Sequence, residues 1–134
     1  MNWAALALML MIPAQPPALR GIEKNLLGYT NAERRLHRLP ELKLDAALMR
    51  SARSHCVWMA RYGSMTHGTR AAGVAENIAM GQAHSQAVLR TWMKSPGHRA
   101  NILQPAHLQI GVAAYRSSSG RIYWCQHFSR RAGR

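Results

Sequence analysis

Two apolar segments near the end of the sequence constrain the fold most. QIGVAAYR (109–116) and RIYWCQHF (121–128) have the composition of β-strands and are joined by SSSG (117–120), a turn-forming stretch. Side chains of a strand alternate between its two faces, and here both faces are largely apolar. A hairpin of this kind has to be covered on two sides, so the rest of the chain must supply packing elements for both faces.

The first half of the sequence supplies helices. The first apolar stripe follows steps of 4, 3, 3 and 4, which predicts one face of an amphipathic helix made of Ile22, Leu26, Tyr29, Ala32 and Leu36. Pro40 then disfavours helical geometry at Leu39. A second helix begins after Asp45, a good N-cap, and ends at Gly63. Its stripe contains Leu48, Ala52, His55, Met59 and Tyr62.

The middle of the sequence is less regular. VAENIAM (74–80) is typical of an extended segment, in which Glu76 and Asn77 would point to opposite faces. Ser85 is the predicted N-cap of a third helix. A short fourth helix begins after Ser95 and places Pro96 in its first position, where the missing N–H costs nothing. The pattern therefore predicts an α+β chain with helices first and most strands last.

The charge distribution sets one carboxylate apart. The net charge is +13, and residues 46–134 carry twelve Lys and Arg but one acid, Glu76. A lone carboxylate in such a region should stay ionised and attract cationic groups. The positive field favours anionic partners such as nucleic acid, anionic lipid or acidic wall polymers, and it is equally compatible with a solvated surface.

The ends of the chain are predicted to lie outside the folded domain. The apolar run in residues 1–14 has the length of a signal-peptide core and is too short to span a membrane. We therefore expect an exported protein, secreted or in the cell envelope, although a buried N-terminal segment is the alternative. A Pro-rich stretch to about residue 20, a single domain over 21–128 and a basic tail over 129–134 complete this division.

Cysteine usage gives no metal motif by itself. Cys56 and Cys125 are far apart and form no C-x-x-C, so a structural zinc knot is not indicated. Two buried thiols are expected. A nucleophilic thiol at Cys56 is disfavoured because burial in a helix raises the pKa of a thiol.

His67, Glu76 and His98 are the candidate metal ligands. Two imidazoles and a carboxylate suit a divalent metal such as zinc, with an open position for water or ligand. The first turn of a helix keeps His98 neutral, as metal binding requires. No short motif such as H-E-x-x-H supports the set, so three unrelated polar residues are the alternative.

Several segments resemble one known family in residues and order. They are TNAERRL, MTHG, AENIAMG, TWMKSPGHRANIL, IGVAAY and YWCQHF. Together they are similar to the CAP superfamily of cysteine-rich secretory proteins, antigen 5 and pathogenesis-related class 1 proteins, and most of all to its short bacterial SCP-like members. The resemblance covers about residues 22–128.

The resemblance implies a three-layer α-β-α sandwich with a surface cleft lined by two histidines and two glutamates, where some members bind a divalent ion. His67, Glu76 and His98 match three of these positions. The second glutamate of the family falls on Ser95, for which we prefer a helix-capping role to a role in the ligand-binding cleft. The cysteines also depart from the disulfide-rich eukaryotic members.

The resemblance also implies a scaffold around the cleft. Asn31 and Arg34 match an N-x-x-R motif that ties the first helix to loops, and Asn77, Arg99 and Asn101 are expected to form hydrogen bonds around the cleft. His55 is interpreted as a core histidine. Trp58, Trp92 and Trp124 are interpreted as core aromatics, with stacking on a ligand at the rim of the cleft as the alternative. No acidic partner is evident in sequence for His37, His84, His107 and His127.

Three functions are compatible with these features of the sequence. The first is an exported domain whose cleft binds an unknown lipid, peptide or wall polymer, with a divalent metal as the bridge. The second is a metal-dependent hydrolase or peptidase in which Glu76 is a third ligand or the base. The third is a cationic binder of anionic cell-surface polymers. Nucleic acid is disfavoured by the absence of an aromatic-interleaved basic motif, and a serine hydrolase by the absence of G-x-S-x-G.

Overall fold

The computed structural model describes residues 19–68 and 71–130. The predicted signal segment, residues 15–18 of the Pro-rich stretch and residues 131–134 of the tail lie outside them. Among the described residues, no helix is long and apolar enough to cross a membrane. The elements in chain order are α1 (Gly21–Leu36), β1 (Lys43–Leu44), α2 (Ala46–Tyr62), β2 (Val74–Met80), α3 (Ser85–Met93), α4 (Pro96–Ile102), β3 (Gln109–Arg116) and β4 (Ile122–Ser129).

One four-stranded sheet forms the middle layer, in the order β1-β3-β4-β2. The predicted hairpin is confirmed: β3 and β4 pair antiparallel, with Arg116 opposite Ile122 next to the turn. The predicted strand 74–80 is also confirmed and pairs antiparallel with the other side of β4. Since β4 has a strand on both sides, its backbone is satisfied within the sheet, whereas β2 lies at the edge.

Helices cover both faces of the sheet, which confirms the three-layer α-β-α sandwich. On one face α1, α3 and α4 enclose the larger core, which contains the fully buried Leu26, Trp92, Ile102, Trp124 and Phe128. On the other face α2 packs over a smaller core of Ala52, Cys56, Met59, Ile78, Ala113, Tyr123 and Cys125. The apolar residues on both faces of the hairpin are therefore buried, as the sequence pattern required.

The ends of α2 are those predicted. The Asp45 carboxylate accepts a hydrogen bond from the Leu48 backbone N–H at 2.9 Å, and Gly63 ends the helix with φ at 59°. Only a residue without a Cβ adopts that left-handed conformation at little cost.

The other predicted caps are corrected by the structure. The N-cap of α3 is His84, whose Nδ1 accepts from the Ala87 N–H at 3.3 Å. Ser85 is buried instead, and its hydroxyl donates to the Ile22 carbonyl at 2.8 Å. Ser95 does occupy the N-cap position of α4, but its side chain makes no capping hydrogen bond. A hydroxyl forms its hydrogen bond with the partner that the tertiary structure brings nearest, and the local sequence does not show which partner that is.

The predicted apolar stripe of α1 is only partly buried. Leu26 is fully buried, but Tyr29 and Leu36 are 39% and 78% exposed. The buried side of the helix contains polar residues as well, namely Glu23, Thr30, Asn31 and Arg34. These residues can be buried because each meets a hydrogen-bonding partner, so the inward face differs from the one that apolar spacing predicts.

Asn31 and Arg34 tie α1 to neighbouring loops, as expected. The Asn31 amide exchanges two hydrogen bonds with the Leu42 backbone, at 3.1 and 2.8 Å. The fully buried guanidinium of Arg34 donates to the backbone carbonyls of Pro40, Ile102, Gln104 and His107. Arg34 therefore links α1 to the end of α4 and to the segment that leads into β3.

A close approach between α2 and the sheet depends on a glycine. A Cβ at Gly111 would lie 2.1 Å from the backbone carbon and oxygen of Leu48. No rotamer change can relieve a clash with backbone, so α2 or β3 would have to move.

We predict that Gly111→Ala destabilises the protein by about 2–3 kcal/mol or more, because it overpacks a site without space. Urea denaturation would measure the change. Gly28→Ala is the matched control, since a Cβ at Gly28 in α1 meets nothing within 4 Å and alanine favours a helix. Equal stability of the two variants would contradict the close approach.

Candidate functional site

The candidate site is organised around the carboxylate of Glu76. Glu76 lies on β2 directly opposite His127 on β4 and is 4% exposed. His127 Nε2 lies 2.6 Å from Glu76 Oε2, and His67 Nδ1 lies 2.6 Å from Oε1. The Gly68 backbone N–H also donates to Oε1, at 3.1 Å. One buried carboxylate thus joins two histidines from different parts of the chain.

The hydrogen bonds keep this carboxylate ionised. Burial alone raises the pKa of Glu76, but the hydrogen bonds from His127 and His67, the charge of His127 and the Gly68 N–H outweigh burial and lower the pKa to about 2. An ionised carboxylate is an acceptor only. His127 Nε2 and His67 Nδ1 must therefore each carry a proton and donate it in the hydrogen bond to Glu76.

The opposite face of β2 holds α4 in place, as the alternation of Glu76 and Asn77 predicted. The Asn77 side chain donates to the His98 carbonyl at 3.1 Å and to Gln126 Oε1 at 3.2 Å. Asn101 donates to Asn77 Oδ1 at 2.9 Å and to the Glu76 carbonyl at 3.2 Å. The expected scaffold role of Asn77 and Asn101 is confirmed, since they anchor α4 beside the strand that carries Glu76.

Arg99 lies away from this scaffold. Its guanidinium contacts the ring of His37 at 3.2 Å on an exposed surface. The expectation that Arg99 forms hydrogen bonds around the cleft is therefore not met, because the side chain projects from α4 toward the end of α1.

His98 is held by Ser95. Nδ1 of His98 lies 2.9 Å from the Ser95 hydroxyl, and its ring lies near Trp92, with 6.4 Å between centroids. Burial and, to a lesser extent, the charge of His67 lower the pKa of His98. Of the predicted site residues, the structure thus brings His67 and Glu76 into direct contact. It places Ser95 against His98, which interacts electrostatically with His67.

His127 is the residue that sequence reasoning missed. Its ring is 2% exposed, and its second nitrogen, Nδ1, lies 2.7 Å from the Ser51 hydroxyl on α2. The expectation that His127 lacks an acidic partner is wrong, because the pairing of β2 with β4 places Glu76 beside it. The sequence did show that two predicted strands each carry a titratable residue, Glu76 in one and His127 in the other. It did not show that these two strands are paired.

A cavity of about 460 Å³ opens between α2 and the segment before β2. It is lined by Ser51, Ser54, His55, Trp58, Thr66, His67, Gly68 and His127. His55 is half-buried rather than part of the core: its ring stacks on Trp58 at 5.6 Å, and its Nε2 lies 2.8 Å from the Thr66 carbonyl. Trp58 is 41% exposed, so its predicted core role is wrong, whereas Trp92 and Trp124 are fully buried as expected.

Among the described residues, the group whose donor atoms converge for a metal differs from the predicted set of His67, Glu76 and His98. Among the described residues, Glu76, Cys125 and His127 place their donor atoms within 4.8 Å of one another, all buried. Imidazole, carboxylate and thiolate together suit transition metals without specifying one. In the predicted set of His67, Glu76 and His98, the carboxylate already accepts a hydrogen bond from Nδ1 of His67. It is therefore placed to orient that ring, the usual role of an outer-shell carboxylate.

The cysteines are as expected. Cys56 and Cys125 are both buried, and neither forms a disulfide within the described part of the chain. Cys56 Sγ lies 3.5 Å from the Tyr123 carbonyl, within the small core under α2.

The sequence matches the model of the cysteine-rich secretory protein family, called CAP, over residues 27–128. The match covers most of the chain, and the fold agrees with it. The chain belongs to the CAP family.

Bacterial proteins are among its relatives. A protein of Bacillus subtilis named YkwD is 35% identical in an alignment 128 residues long that covers 84% of this chain and 49% of YkwD. An extracellular SCP-domain protein of Bacillus anthracis is 26% identical, with a TM-score of 0.72 over 83% of this chain and 41% of that one. This chain therefore spans less than half the length of either protein.

An outer surface protein of Borrelia burgdorferi shares the fold over nearly its entire length. Its TM-score is 0.77, with 18% identity over 88% of this chain and 98% of that one. The bacterial neighbours are thus named as extracellular or outer-surface proteins.

Glu76 should contribute to acid sensitivity. The pKa of Glu76 in the folded chain lies near 2, below its ordinary value of 4.5, so its stabilisation is complete above pH 4.5 and is lost as the pH falls toward 2. The shift corresponds to roughly 3 kcal/mol. We predict that Glu76→Gln is less stable at neutral pH and loses less stability than wild type between pH 4.5 and 2.

Urea denaturation at several pH values would measure this. Glu41→Gln is the control, since Glu41 is an exposed carboxylate paired with Arg35. If Glu76→Gln retained the full wild-type loss of stability at low pH, the carboxylate would not be held as described.

Proposed function

We propose that this chain is an exported CAP domain that binds an extracellular ligand through a divalent cation, such as zinc, held by His67 and His98. One observation carries the proposal. Each imidazole has its Nδ1 held by a polar side chain, His67 by Glu76 at 2.6 Å and His98 by Ser95 at 2.9 Å. Each ring is thus oriented to coordinate a metal through Nε2, and outer-shell partners of this kind are typical of metal-binding histidines.

The charges around the two rings support the same role. A histidine must be neutral to bind a metal, and the lowered pKa of His98 keeps that ring neutral near pH 7. The ionised Glu76 lies beside His67 and would offset part of the charge of a bound cation. When bound, the cation supplies a Lewis-acidic centre for an anionic or carbonyl group of the ligand.

The state of Glu76 favours binding over metal-dependent hydrolysis. A general base works best when its pKa lies near the working pH. Glu76, with a pKa of about 2 and hydrogen bonds to both oxygens, is a weak base. The second family glutamate is replaced by Ser95, whose hydroxyl contacts His98. We therefore assign Glu76 to orienting His67, and not to coordination or proton transfer.

Sequence and relatives support an extracellular setting. Residues 1–14 resemble a signal peptide, and two bacterial neighbours are named as extracellular and outer-surface proteins. The net charge of +13 favours anionic partners, so we propose a lipid, peptide or wall polymer that presents an acidic group to the cleft.

Metal titration tests the proposal without knowledge of the natural ligand. Isothermal titration of the full chain with zinc should show binding that is abolished by His67→Ala and by His98→Ala. Ser95→Ala removes an outer-shell partner and should weaken binding by about 10–100-fold. His37→Ala is the control, because His37 is an exposed histidine at the end of α1.

Cys125→Ser separates the two donor sets. Zinc binding that persists in Cys125→Ser but is lost in His67→Ala supports the cleft site. Binding that is lost in Cys125→Ser and retained in both histidine variants assigns the metal to Glu76, Cys125 and His127 and refutes the proposal.

A further inference from the structure

Two short hydrogen bonds connect an exposed hydroxyl to the buried carboxylate. Ser51 Oγ lies 2.7 Å from His127 Nδ1, and His127 Nε2 lies 2.6 Å from Glu76 Oε2. Hydroxyl, imidazole and carboxylate in this order are the constellation of an activated serine nucleophile. We propose that Ser51, His127 and Glu76 form a serine esterase site that opens into the 460 Å³ cavity. The proposal does not require a metal at His67 and His98, although Glu76 also holds His67, which lines the same cavity.

The proton positions suit such a site. The 2.6 Å contact between His127 Nε2 and Glu76 Oε2 is a hydrogen bond in which the ring N–H donates to the carboxylate. A neutral imidazole protonated on Nε2 has an acceptor at Nδ1, which faces the Ser51 hydroxyl. The Leu48 carbonyl, 3.1 Å from Ser51 Oγ, is a second acceptor, but His127 is the nearer one. In the familiar triad, Nε2 of the histidine accepts the serine proton and Nδ1–H donates to the carboxylate. Here Nδ1 faces the serine and Nε2 faces the carboxylate.

The burial of the three residues also fits these roles. Ser51 is exposed and lines the cavity, whereas His127 and Glu76 are 2% and 4% exposed. The nucleophile is thus accessible to a substrate, while the base and the group that orients it are shielded from water. Strand pairing fixes the base, since Glu76 and His127 are register partners in the sheet. A preorganised base of this kind loses little orientational freedom when a substrate binds.

The cavity lining indicates the substrate class. Trp58 and His55 provide a stacked aromatic wall, and Ser54 and Thr66 add neutral hydroxyl groups. Lys, Arg, Asp and Glu are missing from the lining formed by the described residues. The volume lies within the range of small-molecule sites, roughly 300–1,000 Å³. A neutral carboxylic ester with a short apolar acyl group fits these walls best.

The reaction balances without a further reactant other than water. Ser51 Oγ attacks the ester carbonyl carbon while His127 Nδ1 takes the hydroxyl proton. The bond from carbon to the alcohol oxygen then breaks, and the alcohol leaves with that proton. Water attacks the acyl-serine, His127 takes a proton from it, and Ser51 recovers its hydrogen as the carboxylic acid leaves. Ser54, one turn further along α2 and also lining the cavity, is the hydroxyl assigned to stabilise the oxyanion.

A covalent probe tests the nucleophile directly. The full chain is treated with a fluorophosphonate in EDTA, and the modified residue is located by peptide mass spectrometry. We expect labelling of Ser51, no labelling at this peptide in Ser51→Ala, and labelling at least about 100-fold slower in His127→Gln. Ser118→Ala is the control, because Ser118 is an exposed serine in the β3–β4 turn. EDTA removes the contribution of any metal, so this result is independent of the proposed cleft function.

Ester turnover gives a second measurement. Hydrolysis of p-nitrophenyl butyrate should be lost in Ser51→Ala, and Trp58→Ala should raise KM for butyrate more than for acetate. Thermal melting would confirm that each variant is folded, because Ser51→Ala also removes the hydrogen-bond partner of Nδ1 on the buried His127. Failure to label Ser51 in folded wild type, or equal labelling rates in wild type and folded His127→Gln, would overturn the proposal.

Discussion

The hydrogen bonds of the Glu76 carboxylate are the interaction on which the rest of the site depends. A buried charge is costly unless it is paired and hydrogen-bonded. Here two histidines and a backbone N–H satisfy it. The same bonds determine the orientation of His67 and His127 and therefore the direction in which each ring presents its other nitrogen. Loss of this carboxylate would remove a hydrogen-bond acceptor from both histidines, so one residue bears on both proposed chemistries.

The edge position of β2 explains how one strand serves both helical layers. The Glu76 side chain faces α2, while Asn77 faces α4 and holds the His98 backbone. Asn101 on α4 reaches the Glu76 carbonyl, which a strand in the middle of a sheet would use for pairing. His67 and His98 can therefore interact although they are carried by segments on different sides of the sheet.

Local patterns predicted the features whose causes are local. Asp45 and Gly63 delimit α2 because capping and left-handed geometry involve only a few neighbouring residues. The β3–β4 hairpin was also clear from its composition and turn. The errors arose where a distant partner decides the outcome. The apolar stripe did not give the inward face of α1, where four backbone carbonyls converge on Arg34, and His55 lines a cavity because the segment after α2 returns over it.

By itself, the sequence determined the α+β class, the capped second helix, the terminal hairpin and the family resemblance, since each depends on periodicity or on residues close together in the chain. It also singled out Glu76 as the one acid of the basic region. Only the tertiary structure decided that His127 and Ser51 join Glu76, and that the Ser95 hydroxyl holds His98 instead of capping α4. The physical reason is that a side chain bonds to the nearest suitable partner in space, and strand register and layer packing determine which partner that is.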